Sequence, residues 1–268
     1  MRIAILTTDT IHHRYFLKDL EAKLGPEDSI VLTIFEGDSY PWKKFAIRYF
    51  KQKAPNIWNG IFENPYIRIA WFEQKKINYE LKSFFGDNGV PESSHTYPSI
   101  SVDSINSLRA IELLKEFSPD IGVVYGTSKI NREVFSCPRK GMINCHGGLL
   151  PEFRGLDTNL WSCAQGHPEK MAVTIHEISD GLDTGDILRI ERVLPKKGLD
   201  IFSLRFHTTL ICVDAVLSIL SDIRLGVACG QSQSLKSGSY YGPMPILRQI
   251  LANIRLKRYA ALAAQESA

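Results

Sequence analysis

The sequence predicts an α/β fold with a mostly parallel central sheet. A short apolar run at residues 3–8, an amphipathic stretch at 12–24 and a second apolar run at 29–35 have the strand–helix–strand spacing of a parallel unit. The same alternation resumes after residue 104 and continues for about another hundred residues. Between the two halves lies a stretch of different composition, rich in aromatic and basic residues.

Taken in order, residues 3–8 (Ile3 to Thr8) have the unbroken apolar character of a strand buried on both faces. Phe16, Leu17, Leu20 and Leu24 fall on one face of the following helix, which Gly25 and Pro26 stop. The segment from about 40 to 86 carries nine Lys or Arg against three Glu, and Trp42, Phe45, Tyr49 and Phe50 recur in it at helical spacing. It reads as a helical insert. Its basic aromatic part, residues 42–53, has three readings: a helix packed by its aromatic face, a contact for a phosphorylated or nucleotide-linked substrate, or a helix lying on a membrane surface.

After the insert, a helix at 104–117 closes at Ser118 and Pro119, and a strand follows at 121–125. A short helix at 131–136 and a strand at 142–146 come next, then a helix at 158–165 stopped by Gly166 and Pro168. Strands at 172–177 and 187–193 precede a long helix to about residue 223, for which Asp200 is the expected N-cap. A Gly- and Ser-rich stretch with Tyr240 and Tyr241 leads into a final basic helix at 246–263. The expected organisation is a catalytic domain over 1–225, with the insert at about 40–86, and a small C-terminal extension over 226–268.

Composition excludes several classes. A net charge of +3 over 268 residues does not call for nucleic acid as a partner. The five cysteines are odd in number and form no CxxC pair, which argues against a disulfide framework or structural zinc and for reduced thiols in a cytoplasmic protein. The N-terminus has no secretory pattern, and no long uninterrupted apolar run predicts a membrane span. Thr7 to Thr10 stand where a dinucleotide-binding glycine motif would follow the first strand. His146, His167 and His176 fit no zinc spacing; His167 and His176 read as surface or structural histidines, and no metal is expected.

Two segments carry the chemistry. Asn144 and His146 are two apart on a predicted strand, so both face the same side, at the C-terminal edge where open α/β sheets bind ligands. An amide donor beside an imidazole can stabilise an oxyanion and handle a proton. Asp183 lies in a glycine-flanked loop between two later strands; folded beside His146, its carboxylate would favour the protonated imidazole. The three suit attack on a carbonyl without a covalent enzyme intermediate.

Around these residues, Asn144, His146, Leu149, Leu150, Pro151, Phe153, Arg154 and Gly155 are followed by Gly181, Leu182, Asp183, Gly185 and Asp186. This order and spacing resemble the folate-dependent formyltransferase family, which includes methionyl-tRNA formyltransferase, glycinamide ribonucleotide formyltransferase and the sugar N-formyltransferases. The resemblance covers residues 100–220 clearly and the preceding part loosely. It implies a Rossmann-like formyltransferase domain that takes N10-formyltetrahydrofolate as formyl donor. It also implies that Asn144 and His146 polarise the formyl oxygen, that Asp183 keeps His146 charged and helps relay the amine proton, and that pterin contacts come from Ser128, Lys129 and Ile130 on one side and Ile178, Asp180 and Leu182 on the other. Two departures stand out. Ser179 replaces the first aspartate of the second motif, and Gly147 and Gly148 replace the Pro-Ser of the tRNA and purine enzymes, which opens room beside the catalytic pair.

The acceptor expected from these features is a nucleotide-linked amino sugar of polysaccharide biosynthesis, with a possible homodimer seam and a possible peripheral membrane contact. The alternatives are a methionyl-tRNA formyltransferase, a hydrolase releasing formate from the same donor, and a folate or nucleotide-sugar binding module without activity.

Overall fold

Among the described residues, seven strands form one sheet, in the order Ser99–Val102, Ser29–Glu36, Arg2–Thr8, Ile121–Tyr125, Met142–His146, Ala172–Glu177 and Ile187–Arg192. The computed structural model describes residues 1–37, 65–89, 96–234 and 237–266. The first strand, β1 (Arg2–Thr8), pairs in parallel with β2 (Ser29–Glu36) on one side and β4 (Ile121–Tyr125) on the other. Its residues Ile3, Ala4, Ile5 and Leu6 are fully buried, as a strand covered on both faces must be. Beyond β2 lies β3 (Ser99–Val102); beyond β4 lies β5 (Met142–His146), both parallel to their neighbours. The sheet then reverses: β7 (Ala172–Glu177) runs antiparallel to β5, and β8 (Ile187–Arg192) antiparallel to β7. Because the chain leaves β1 toward β3 and returns beside it at β4, strand order switches between β1 and β4, and loops there diverge to leave a crevice.

Helices cover both faces. Phe16, Leu17 and Leu20 of α1 (Ile11–Lys23) pack in one core cluster with Val213, Val216 and Ile219 of α6 (Ile201–Leu225). On the other face, Leu113 and Leu114 of α3 (Leu108–Phe117) and Val134 of α4 (Arg132–Phe135) close over Leu32, Ile34 and Val124. From the predicted insert the described part is α2 (Pro65–Phe85), which lies against α1 and α6. Trp42, Phe45, Tyr49 and Phe50 lie outside the described residues. By length and composition α6 could cross a membrane, but the residues named above place it on the sheet as a core helix.

Asp200 caps α6 as its sequence predicts. Its side chain accepts from the main-chain N–H groups of Phe202 and Ser203, and Ser203 Oγ accepts from the Asp200 N–H at 2.9 Å, a reciprocal box. Asp200→Ala is expected to lower stability by about 1 kcal/mol, read as a small drop in Tm with unchanged chemistry.

Three short strands escape the sequence reading: β3, β6 (Phe153–Gly155) and β9 (Ser239–Tyr241). The last two form a parallel pair that joins the C-terminal segment to the loop after β5. Phe153, Trp161 and Tyr241 stack there, and the Trp161 indole N–H donates to the Gly242 carbonyl at 2.9 Å. Trp161 belongs to α5 (Thr158–Gln165), against which the final helix α7 (Ile246–Glu266) packs through Ala252, Leu256 and Ala260.

Candidate active site

The antiparallel register of β5 on β7 sets Asn144 directly opposite His176, and His146 opposite Thr174. His176 Nδ1 lies 2.8 Å from the Glu177 carbonyl, which can only accept, so that nitrogen carries the proton. In the neutral ring Nε2 is then an acceptor, and Asn144 Nδ2 donates to it at 3.0 Å. This bond fixes the amide: its nitrogen faces His176 with one hydrogen committed and one left over.

Asp183 reaches the same place from the loop between β7 and β8. Its Oδ1 is 3.6 Å from His176 Nε2, its Oδ2 is 3.6 Å from His146 Nδ1, and Oδ2 accepts the Gly155 N–H at 2.8 Å. All three side chains are buried. The loop holds this position under constraint. Asp183 has φ of 52°, a left-handed conformation that disfavours a residue with a side chain. At Gly185 a Cβ would come within 1.8 Å of the Glu177 carbonyl oxygen, so only glycine lets the loop turn this close to β7.

Burial alone would raise the Asp183 pKa, but the electrostatic influence of the nearby His146 and His176 rings and the hydrogen bond from the Gly155 N–H outweigh it and hold the group at about 2. For His146 burial wins: its pKa falls below the ordinary value, with Asp183 pulling the other way. These directions disagree about the charge on His146. For the ring, burial is the larger of the two influences, while the Gly155 N–H helps keep the Asp183 carboxylate ionised whatever the charge on the ring. The result is an ionised carboxylate beside an imidazole neutral at pH 7, which the carboxylate stabilises once it takes up a proton. The sequence expectation has Asp183 favour the charged His146; the carboxylate acts in that direction, and burial acts against it.

A cavity of about 70 Å³ opens at this edge of the sheet, lined by residues 127–130 from the loop after β4, by Asn144 and His176, and by Ile178, Ser179, Gly181, Leu182 and Asp183. Of the residues expected around a donor, Ser128, Lys129, Ile130, Ile178 and Leu182 all line it; Asp180 does not. Asp180 instead pairs with Arg132 of α4, both well exposed, and ties the two walls together from outside. His146 is also off the cavity wall: its Nε2 donates to the Phe153 carbonyl at 2.7 Å, and it reaches the cavity through Asp183. The Ser128 hydroxyl and N–H both donate to Glu36 at 2.6 Å, so Glu36, buried at the end of β2, sets the shape of this wall.

The glycine pair divides. A side chain at Gly147 would meet nothing, whereas one at Gly148 would run into the Thr158 hydroxyl and the His146 ring. Thr158 fills that space and donates to the Gly147 carbonyl at 2.5 Å. The expected room therefore exists at Gly147 alone. His176, read from the sequence as a surface or structural histidine, is 2% exposed and lies in the centre of the constellation.

The pattern of the formyl transferase family matches residues 73–206, half of the chain, and this stretch contains Asn144, His146, His176 and Asp183. A methionyl-tRNA formyltransferase from Alkaliphilus metalliredigens is 30% identical over 131 residues, 48% of this chain and 41% of the relative. The chain spans about half, or less, of the curated relatives it matches. Among solved structures, a sugar N-formyltransferase from a Shewanella species has the same fold over 96% of this chain and 87% of its own, with a TM-score of 0.55 at 16% identity. WlaRD, a sugar 3N-formyl transferase crystallised in the presence of dTDP and 5-N-formyl-THF, superposes over 96% of this chain and 79% of its own with a TM-score of 0.52 at 14% identity. The chain belongs to the formyl transferase family.

Proposed function

We propose that the protein moves the formyl group of N10-formyltetrahydrofolate onto the amino group of a nucleotide-linked sugar. The observation that carries this reading is the meeting of Asn144, His176 and Asp183 on one cavity wall, with His146 behind the carboxylate. The free hydrogen on Asn144 Nδ2 is placed to hold the formyl oxygen as it becomes an oxyanion. The acceptor amine attacks the formyl carbon and forms the new C–N bond. Its proton leaves through the Asp183 carboxylate to His146, and is returned to N10 of the folate as the old C–N bond breaks.

The donor ring would enter between residues 128–130 and residues 178–182. The cavity is well below the several hundred Å³ usual for a site of that kind, so binding parts these walls and works against the external Arg132–Asp180 tie. A sugar acceptor is supported by the sugar N-formyltransferases among the proteins that share the fold over nearly all of this chain. In the same reading the enzyme acts in the cytoplasm.

Incubation with N10-formyltetrahydrofolate and a panel of nucleotide-linked amino sugars, read by mass spectrometry, is expected to yield a formamido sugar and one equivalent of tetrahydrofolate. Transfer to charged initiator tRNA but to no sugar would overturn the acceptor assignment. Release of formate with no amine present, at a rate no added sugar changes, would replace transfer by hydrolysis.

A further inference from the structure

We infer that Gln233, in the C-terminal segment beyond the family-matched stretch, is a positioning residue that holds Asp183 in its left-handed conformation and so aims its carboxylate. The inference rests on the reading of Asp183 as the catalytic carboxylate. Gln233 Nε2 donates to the Asp183 carbonyl at 3.3 Å and also to the Gly185 carbonyl. These are main-chain acceptors on either side of the turn that carries the strain, and no other side-chain bond to either carbonyl occurs among the described residues. The turn cannot relax toward β7, because Gly185 already touches the Glu177 carbonyl. One donor side chain spanning 183 and 185 therefore decides whether the loop keeps its shape.

The position of Gln233 is itself fixed from both ends. Upstream, Gln231 exchanges two main-chain bonds of 2.8 Å with Ile187, the first residue of β8. Downstream, the Ser239 N–H donates to the Glu152 carbonyl at 3.0 Å, β9 pairs with β6, and the Leu156 N–H donates to Tyr241 at 2.8 Å. That pairing places Gly155, whose N–H holds Asp183 Oδ2. The C-terminal segment thus grips Asp183 twice: at the main chain through Gln233, and at the carboxylate through the β6–β9 pair. Among the described residues, two buried atoms here have no hydrogen-bond partner, Gln233 Oε1 and Arg154 Nε, while Arg154 Nη2 donates to the neighbouring Ser234 carbonyl at 3.3 Å. Among the described residues, donation by Nε2 is the glutamine side chain's hydrogen-bonding role.

The test compares Gln233→Ala with Gln233→Glu, which keeps the size but presents only acceptors to the two carbonyls. In both variants kcat per folded molecule is expected to fall about tenfold, with the donor KM within about twofold of wild type. The NMR titration of His146 supplies a readout independent of turnover. The charged and titratable groups acting on His146 are Asp183, His176 and Arg154. If the carboxylate drifts away, the His146 midpoint moves to lower pH in Gln233→Ala, whereas in Gln233→Glu the added carboxylate pulls it the other way. Wild-type kcat in Gln233→Glu, or wild-type kcat with an unmoved His146 midpoint in Gln233→Ala, overturns the inference. So does a lowered Tm with kcat per folded molecule and the His146 midpoint both intact, since that marks a purely structural residue. If wild-type protein transfers no formyl group at all, the functional reading fails, while the His146 titration still decides the role of Gln233.

Discussion

Asp183→Asn is expected to lower kcat by about 10³-fold, with little change in the donor KM or in the fold. The substitution keeps the shape of the side chain and an oxygen that can accept the Gly155 N–H, so the loop retains its main anchor. What it removes is the charge. With that carboxylate in place, a proton passing from the amine to His146 produces an imidazolium 3.6 Å from an anion; without it the imidazolium forms buried and unpaired. The pH profile gives a second check. His146 must be neutral to accept the proton, and its folded pKa lies below the ordinary value, so kcat/KM is expected to rise through an acid limb centred below about 6.5 and to plateau above it. Asp183 raises the His146 pKa, so the residual activity of Asp183→Asn should show that limb at still lower pH. Stability carries the opposite dependence. The depressed Asp183 pKa stabilises the fold above about 3.8, and that contribution is lost as pH falls toward about 2. A variant with kcat within tenfold of wild type would remove Asp183 from the chemistry.

The expected polar constellation was legible where two residues share a strand or a glycine pattern marks a turn. Asn144 and His146 are two apart on β5, and strand periodicity alone sends them to one face. Glycines on both sides of Asp183 announce a tight loop. His176 was not legible, because its role depends on which residue of β5 it faces, and that is fixed by a register no local pattern reveals. Gln233 is hidden for a stronger reason: it lies fifty positions after Asp183, in a stretch whose Gly and Ser content reads as a loop. Asp180 shows the converse error. Its place beside the motif suggested the cavity, but the alternation of a tight turn sends it outward to Arg132. Strands β6 and β9 are three residues each, too short for any period to show, yet they bind the C-terminal segment to the site.

Asn144→Asp is expected to lower kcat by about 10²- to 10³-fold and to be at least as damaging as Asn144→Ala. The amide nitrogen has two hydrogens, and His176 Nε2 uses one of them at 3.0 Å. The formyl oxygen can therefore be served by the other, and a carboxylate in the same place has neither. Asn144→Asp would also turn an acceptor toward the Nε2 lone pair of His176 and bring a second negative charge near Asp183. Asn144→Ala removes the donor without adding repulsion, so the gap between the two variants measures the repulsion, and the drop from wild type to alanine measures the donor. Because the hydrogen bond strengthens as charge builds on the formyl oxygen, the loss should fall on kcat, with the donor KM nearly constant. A KM increase with kcat preserved would mean that Asn144 binds the ground state only, and the oxyanion role would have to pass to another donor on the cavity wall.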